Sequence, residues 1–236
     1  MTITEAAPTT TPTIDSVTFD LYRDVHKAIR VELFAVTTEA GRLDPSDRAA
    51  RDALAGHVRS VVDWLADHAR HEDTTIDPEL RRLMPDLAEA VWHDHAEFDA
   101  RCEAMVDLAD TAATAIGTDR RRLGHRLYLD LASFTSAYLA HQDLEERVIM
   151  PSLEAALGVP HVVEMHQAIL ASLSPAEMGA ALALMIPAIN LDERVKMLSG
   201  IRADAPPEAF DGVCALASMV LAPEDHAALS LRLGLA

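Results

Sequence analysis

The chain has 236 residues, half of them hydrophobic, and a formal net charge of −18. That charge argues against nucleic acid or an anionic membrane as a partner, and with no apolar run of about eighteen residues no transmembrane helix is expected. Glycine is scarce and helix formers dominate, so the chain can bury a sizeable helical core.

Residues 1–15 are rich in Thr, Pro and Ala, lack Lys and Arg, and contain no apolar stretch. They read as a disordered leader, not a signal peptide, which makes the cytoplasm the expected compartment. A first helix is expected over 16–40, stopped by Gly41, with Phe19, Tyr22, Ile29, Leu33 and Val36 as its apolar stripe and His26 in the middle of it. A second helix opens in Asp44-Pro45-Ser46-Asp47. Its stripe is Leu54, Val58, Val61 and Leu65, followed by His68 and Glu72, and Pro78 marks its end or a kink.

The third helix follows Pro85 and runs to about 116, with Ala88, Val91, Trp92, His95, Phe98, Cys102 and Met105 on one face. The fourth runs from about Thr118 to just before Pro151, with Leu127, Leu131, Phe134, Tyr138, His141, Glu145 and Val148. Four long helices with short connectors, each carrying a histidine on its apolar face, predict an all-α, antiparallel four-helix bundle over 16–157. Beyond it, residues 158–236 predict short helices at about 160–173, 175–188, 191–201, 207–220 and 223–233. Two begin at capping boxes, Ser174/Glu177 and Asn190/Glu193. Methionines 165, 178, 185, 197 and 219 recur along this extension. They suit packing against the bundle or a homo-oligomer contact, and no catalytic motif accompanies them.

The informative feature is a repeat. Residues 68–80 and 141–153 both read H-x-x-x-E-[DE]-x-x-I-x-P-x-L. Isolated His/acid pairs at this spacing, such as His93/Glu97, arise by chance in an acidic chain, but the whole pattern twice over does not. His and Glu one turn apart share a helix face. As a solvated pair they would be unremarkable, yet the stripes place both on the buried side, where an unpaired carboxylate is costly. Each half is therefore a helix with one His, then a helix with His and Glu. Two such hairpins about an approximate two-fold axis bring four imidazoles and two carboxylates to the bundle centre. Nitrogen and oxygen donors without thiolate suit iron best, then manganese, and argue against structural zinc.

The chain here resembles the hemerythrin family, in its HHE cation-binding branch, over roughly 16–155. The resemblance implies His26, His68, Glu72, His95, His141 and Glu145 as ligands of a non-haem centre of two iron ions. The chemistry it implies is O2 binding, a response to O2, NO or iron, or peroxide decomposition. There is one departure. Oxygen carriers have a second histidine four residues from the first on the third helix, and Val91 and Asp99 stand at those positions. Glu146 meets the carriers' carboxylate spacing and competes with Glu145, as Asp73 competes with Glu72. A carboxylate-richer site speaks against simple transport. Three expectations stay open: an O2-, NO- or iron-responsive binding protein, a diiron oxidoreductase acting on O2 or peroxide, and a regulatory protein with structural iron.

Around the centre, Tyr22 and Tyr138 read as core aromatics or as proton or electron donors close to a metal-bound oxygen. His71 is the competitor of His68, solvated or just behind the ligands. His57 is expected to be buried or to line a channel on the face of His68. Cys102 and Cys214 read as free thiols in apolar surroundings, and His93 as solvated.

Overall fold

The computed structural model describes residues 12–235, and the fold is entirely helical. Residues 1–11 of the expected leader lie outside the described residues, and the remainder runs into a short turn of 3-10 helix, Ile14–Ser16. The bundle consists of α1 (Arg23–Arg42), α2 (Arg48–Thr75), α4 (Pro85–Thr114) and α5 (Asp119–Leu144), with the short α3 (Asp77–Leu83) between α2 and α4. A π turn, Glu145–Ile149, joins α5 to α6 (Met150–Leu157). Then follow α7 (Val159–Ser172), α8 (Pro175–Ala188), α9 (Leu191–Asp204), α10 (Pro207–Val220) and α11 (Pro223–Leu233).

Helix starts are set by side-chain caps. The first helix begins at Arg23 rather than at 16 because the Asp20 carboxylate accepts from the Tyr22 and Arg23 amides at 2.9 and 3.0 Å. The preceding amides of Thr18 and Phe19 donate instead to Glu154 on α6. Asp47, not Asp44, caps α2 through the Ala50 amide, while Asp44 closes a turn on Ser46. Gly41 is not a helix stop: α1 runs through it. A Cβ there would stand 3.1 Å from the Tyr128 ring, so the glycine is a point of close approach between α1 and α5.

The two trailing prolines act differently. Pro78 sits in the first turn of α3, so the first motif ends in a break at Ile76. Pro151 occupies the same place in α6, but the preceding turn widens, and the Met150 amide reaches back five residues to the Glu145 carbonyl. At the end of the chain, both predicted capping boxes form, at Ser174/Glu177 and Asn190/Glu193.

α1 packs on α2, α2 on α4, α4 on α5 and α5 back on α1. The apolar residues divide into two clusters. One holds Ile29, Leu33, Leu54, Leu65, Phe98, Leu131, Phe134 and Tyr138. The other holds Tyr22, Ile76, Leu80, Val91, Ile149 and Leu153. Every bundle helix passes from one cluster to the other through His26, His68–Glu72, His95 or His141–Glu145. α1 and α4 travel in one sense and α2 and α5 in the opposite sense, which makes the bundle antiparallel. Two stripe assignments are corrected: Trp92 is 52% and Val148 42% exposed, so neither faces the core.

Val162 and Met165 of α7 belong to the second bundle cluster. From α8 onward the chain has a third cluster of its own, including Leu182, Ile186, Leu198, Phe210 and Leu229. α8 lies on α1, and Lys27 and Arg23 of α1 reach Glu193 of α9. Met219 is exposed, unlike the largely buried Met165.

Candidate metal centre

The four histidines and two glutamates of the repeat meet between the two apolar clusters, and all six side chains are buried. The Nε2 atoms of His26 and His68 face each other at 3.2 Å, and so do those of His95 and His141. Glu72 presents Oε1 to His68 at 3.0 Å and Oε2 to His95 at 3.4 Å. Glu145 presents Oε1 to His141 at 3.2 Å and Oε2 to His26 at 3.5 Å. Each carboxylate thus offers one oxygen to each histidine pair.

The second acid of each motif explains itself in this arrangement. His26 Nδ1–H donates to Glu146 at 3.1 Å, and His95 Nδ1–H to Asp73 at 2.9 Å. The single histidine of one hairpin is therefore oriented by the acid that follows the inward glutamate of the other. The competition within each motif resolves: Glu72 and Glu145 point in, and Asp73 and Glu146 reach behind the opposite ring. His141 Nδ1–H donates to Asp94 at 3.0 Å. Asp94 was missed by the sequence reading, since its periodicity does not separate it from solvated acids such as Asp86.

With their protons held on Nδ1, His95 and His141 turn Nε2 lone pairs toward one another, which is repulsive unless a cation or extra protons intervene. The carboxylates tell the same story. Both oxygens of Glu72 and Oε2 of Glu145 are buried without a hydrogen bond, although imidazole nitrogens lie within ion-pair distance. The nitrogens are close but not aligned to donate, as expected of groups gathered around a shared ion. Glu72, His95, His141 and Glu145 each offer a ligand atom within 4.8 Å of the others, as do His26, His68 and Glu72.

Where no cation is present, protons take up the charge. Burial opposes the charged form of His26, but Glu146 and Glu72 outweigh it and lift its pKa to about 9. His95 is raised to about 9 by Glu72 and Asp73 against the same burial penalty, and His141 is raised by Glu145. Burial likewise opposes ionisation of Glu146, yet His26 and Arg30 hold its carboxyl down at about 2. Glu72 stays well below the usual carboxylate range despite desolvation, through His68 and its other imidazole neighbours.

Tyr22 and Tyr138 stand on opposite sides of the polar layer. The Tyr22 ring is 5.1 Å from that of His26, and the tyrosine borders a void of about 10 Å³ with Glu72, His95 and Glu145. Tyr138 packs 5.0 Å from Phe98 and 5.8 Å from His141. It also lines a cleft of about 550 Å³ between α2 and α4, which reaches His95 along Leu65, Ala69, Phe98 and Cys102. Burial and the two inward glutamates raise both phenols well above their ordinary pKa. Cys102 and Cys214 are free thiols, and burial pushes Cys102 up to about 12.

Two candidates stand elsewhere. His57 is partly buried between Glu32 and Glu39 of α1. Its Nδ1 contacts Glu39 at 2.6 Å, on the flank of α2 that faces α1, and three helical turns separate it from His68. His71 lies within electrostatic reach of Arg70 and His68 and of Glu177 in the first turn of α8, and its Nε2 is buried without a partner. His93 is solvated, as expected.

A bundle whose buried layer pairs four imidazoles with two shared carboxylates defines a cation-binding helical protein. Consistent with this, the family model described as Hemerythrin HHE cation binding domain matches residues 17–174. The chain belongs to the hemerythrin HHE cation-binding family. Neither curated proteins nor solved structures give a match to it.

Proposed function

We propose that the chain is a non-haem diiron protein that binds or responds to O2, with NO or iron itself as the alternative effector. One observation carries this reading: two facing histidine pairs share two carboxylates, each giving one oxygen to each pair. His26, His68 and one oxygen from each glutamate would hold one ion, and His95, His141 and the other oxygens the second. Two iron ions so held would supply one-electron redox chemistry and a place for an exogenous oxygen ligand. The chain's own residues exclude water with two apolar clusters, fix three of the rings through carboxylates, and leave a void beside Tyr22 of about one water.

A second reading, an oxidoreductase consuming O2 or peroxide, is favoured by the carboxylate-rich donor set and by the cleft that reaches His95 and Tyr138. The two are separated by loading ferrous iron anaerobically, confirming two irons per chain by elemental analysis, and recording the optical spectrum after O2 is added. A charge-transfer band that persists and disappears when O2 is removed is the expected result for reversible binding. Immediate irreversible oxidation, with turnover of added peroxide, selects the enzyme. If two irons are present and neither change occurs, the O2 reading is wrong.

A further inference from the structure

The two halves of the centre are related by the repeat, but their supports are not equivalent. Aligned through their single histidines, α1 and α4 bring Val25 into correspondence with Asp94, and Arg30 with Asp99. Both differences weaken the same half.

In the His95/His141 half, both rings donate from Nδ1 to a carboxylate, Asp73 at 2.9 Å and Asp94 at 3.0 Å. Among the described residues, neither acid is ion-paired to a lysine or arginine, so each leaves its charge to its imidazole. The His26/His68 half differs at both rings. Glu146, behind His26, is gripped by both terminal nitrogens of Arg30, at 2.8 and 3.1 Å, and divides its charge between them. Behind His68 the acid is missing: Val25 stands where Asp94 stands in the other half. Among the described residues, nothing accepts a hydrogen bond from His68 Nδ1.

A carboxylate behind a ligating imidazole fixes the ring and makes its free nitrogen a better donor, and losing one typically costs about 10–100-fold in metal affinity. We propose that the centre is unequal by construction: the position held by His95 and His141 binds its ion more tightly, by about 10–100-fold, and the position held by His26 and His68 is the exchangeable one. This rests on the two-metal reading above. It places the exchangeable ion against α1, the helix whose outer face carries α8 and, through Lys27 and Arg23, Glu193 of α9.

The test is anaerobic calorimetric titration of the metal-free full chain with ferrous iron. Two bound cations repel each other and separate the binding steps in any case, so the decision lies in which step each variant loses. His68→Ala should abolish the weak step and retain the tight one, and His141→Ala should abolish the tight one. Asp94→Asn should weaken the tight step about tenfold or more and narrow the gap. Val25→Asp should strengthen the weak step and narrow the gap from the other side. The Asp94 variant is conservative at a half-exposed position, so its result stands even if Val25→Asp folds poorly. Loss of the tight step in His68→Ala, or an unchanged gap in Asp94→Asn, overturns the proposal. Two bound irons with those results would sink only the inequality. If no variant and no wild-type chain binds a second iron, the two-metal reading falls with it.

Discussion

At the residue scale, the centre is a competition between protons and cations. His26 and His95 have pKa values of about 9 in the folded chain, above the ordinary 6.5. In metal-free protein their contribution to stability is fully present below about pH 6.5 and is lost as pH rises from there to about 9. Over that window the unfolded chain gives up its imidazole protons while the folded chain must keep them, and only near pH 9 do the folded rings discharge and leave Glu72 and Glu145 buried without compensation. The thermal midpoint of metal-free protein should fall between pH 6.5 and 9, at about 2–4 °C for each kcal/mol lost in a chain of this size. Iron-loaded protein should stay flat over the same range, and differential scanning calorimetry of both forms checks this. A metal-free midpoint that rises with pH would contradict the assignment of charge to these rings. Iron uptake should also release protons and tighten as pH rises. Much of the site was legible at this scale, because H-x-x-x-E is a local pattern with a helix period. Asp94 was not legible: its role depends on α5 lying across α4, a relation that no spacing within one helix encodes. The choice between Glu72 and Asp73 was hidden for the same reason, since the second acid serves the opposite hairpin.

At the element scale, Gly41 is a point of close approach between α1 and α5. The space left by its missing side chain is occupied by Tyr128 at 3.1 Å. Alanine gains up to about 1 kcal/mol of helix propensity over glycine but must displace a partly buried ring by a few tenths of an ångström. The two effects should nearly cancel, leaving Gly41→Ala within about 0.5 kcal/mol of the parent. Gly41→Leu cannot be accommodated without parting the helices and should cost about 1–3 kcal/mol. Urea unfolding of both variants gives the comparison, and a tolerated leucine would show that the contact is not tight. A C-terminal glycine after an apolar stripe usually means a stop, and only the neighbouring helix reveals the other use. The starts of α8 and α9 were readable in advance because Ser174 and Asn190 form capping boxes with Glu177 and Glu193 one turn on. The start of α1 was not, because the Thr18 and Phe19 amides are taken by Glu154, far along the chain.

At the scale of the whole molecule, the bundle and the last four helices keep separate cores but share α1. The family match ends at residue 174, and the third apolar cluster draws on residues from 178 onward. A chain truncated after Ser174 keeps every residue of the centre and of its carboxylate support. It should retain its iron per chain while losing thermal stability, because the face of α1 beneath α8 is uncovered. Elemental analysis of the truncated protein decides this, and loss of iron would mean that the last helices complete the site rather than lie against it. The bundle itself was legible because four stripes each carried one histidine at a similar height. The short helices were legible as elements only: their place on α1 follows from surfaces that the sequence does not pair.

The exchange of acids between hairpins also orders assembly in time. The Glu146 side chain reaches a histidine 120 residues earlier in the chain. Contacts of such long loops form late, after the local hairpins have already lowered the entropy of closure. A hairpin that has folded alone holds a histidine pair with a single inward glutamate, and the acid meant for its lone histidine is still on the unpaired half. The orientation of His26 and His95 therefore arises only when the two halves meet, and so does the sharing of each glutamate between both histidine pairs, which makes capture of the metal a closing event of folding and not a seed for it.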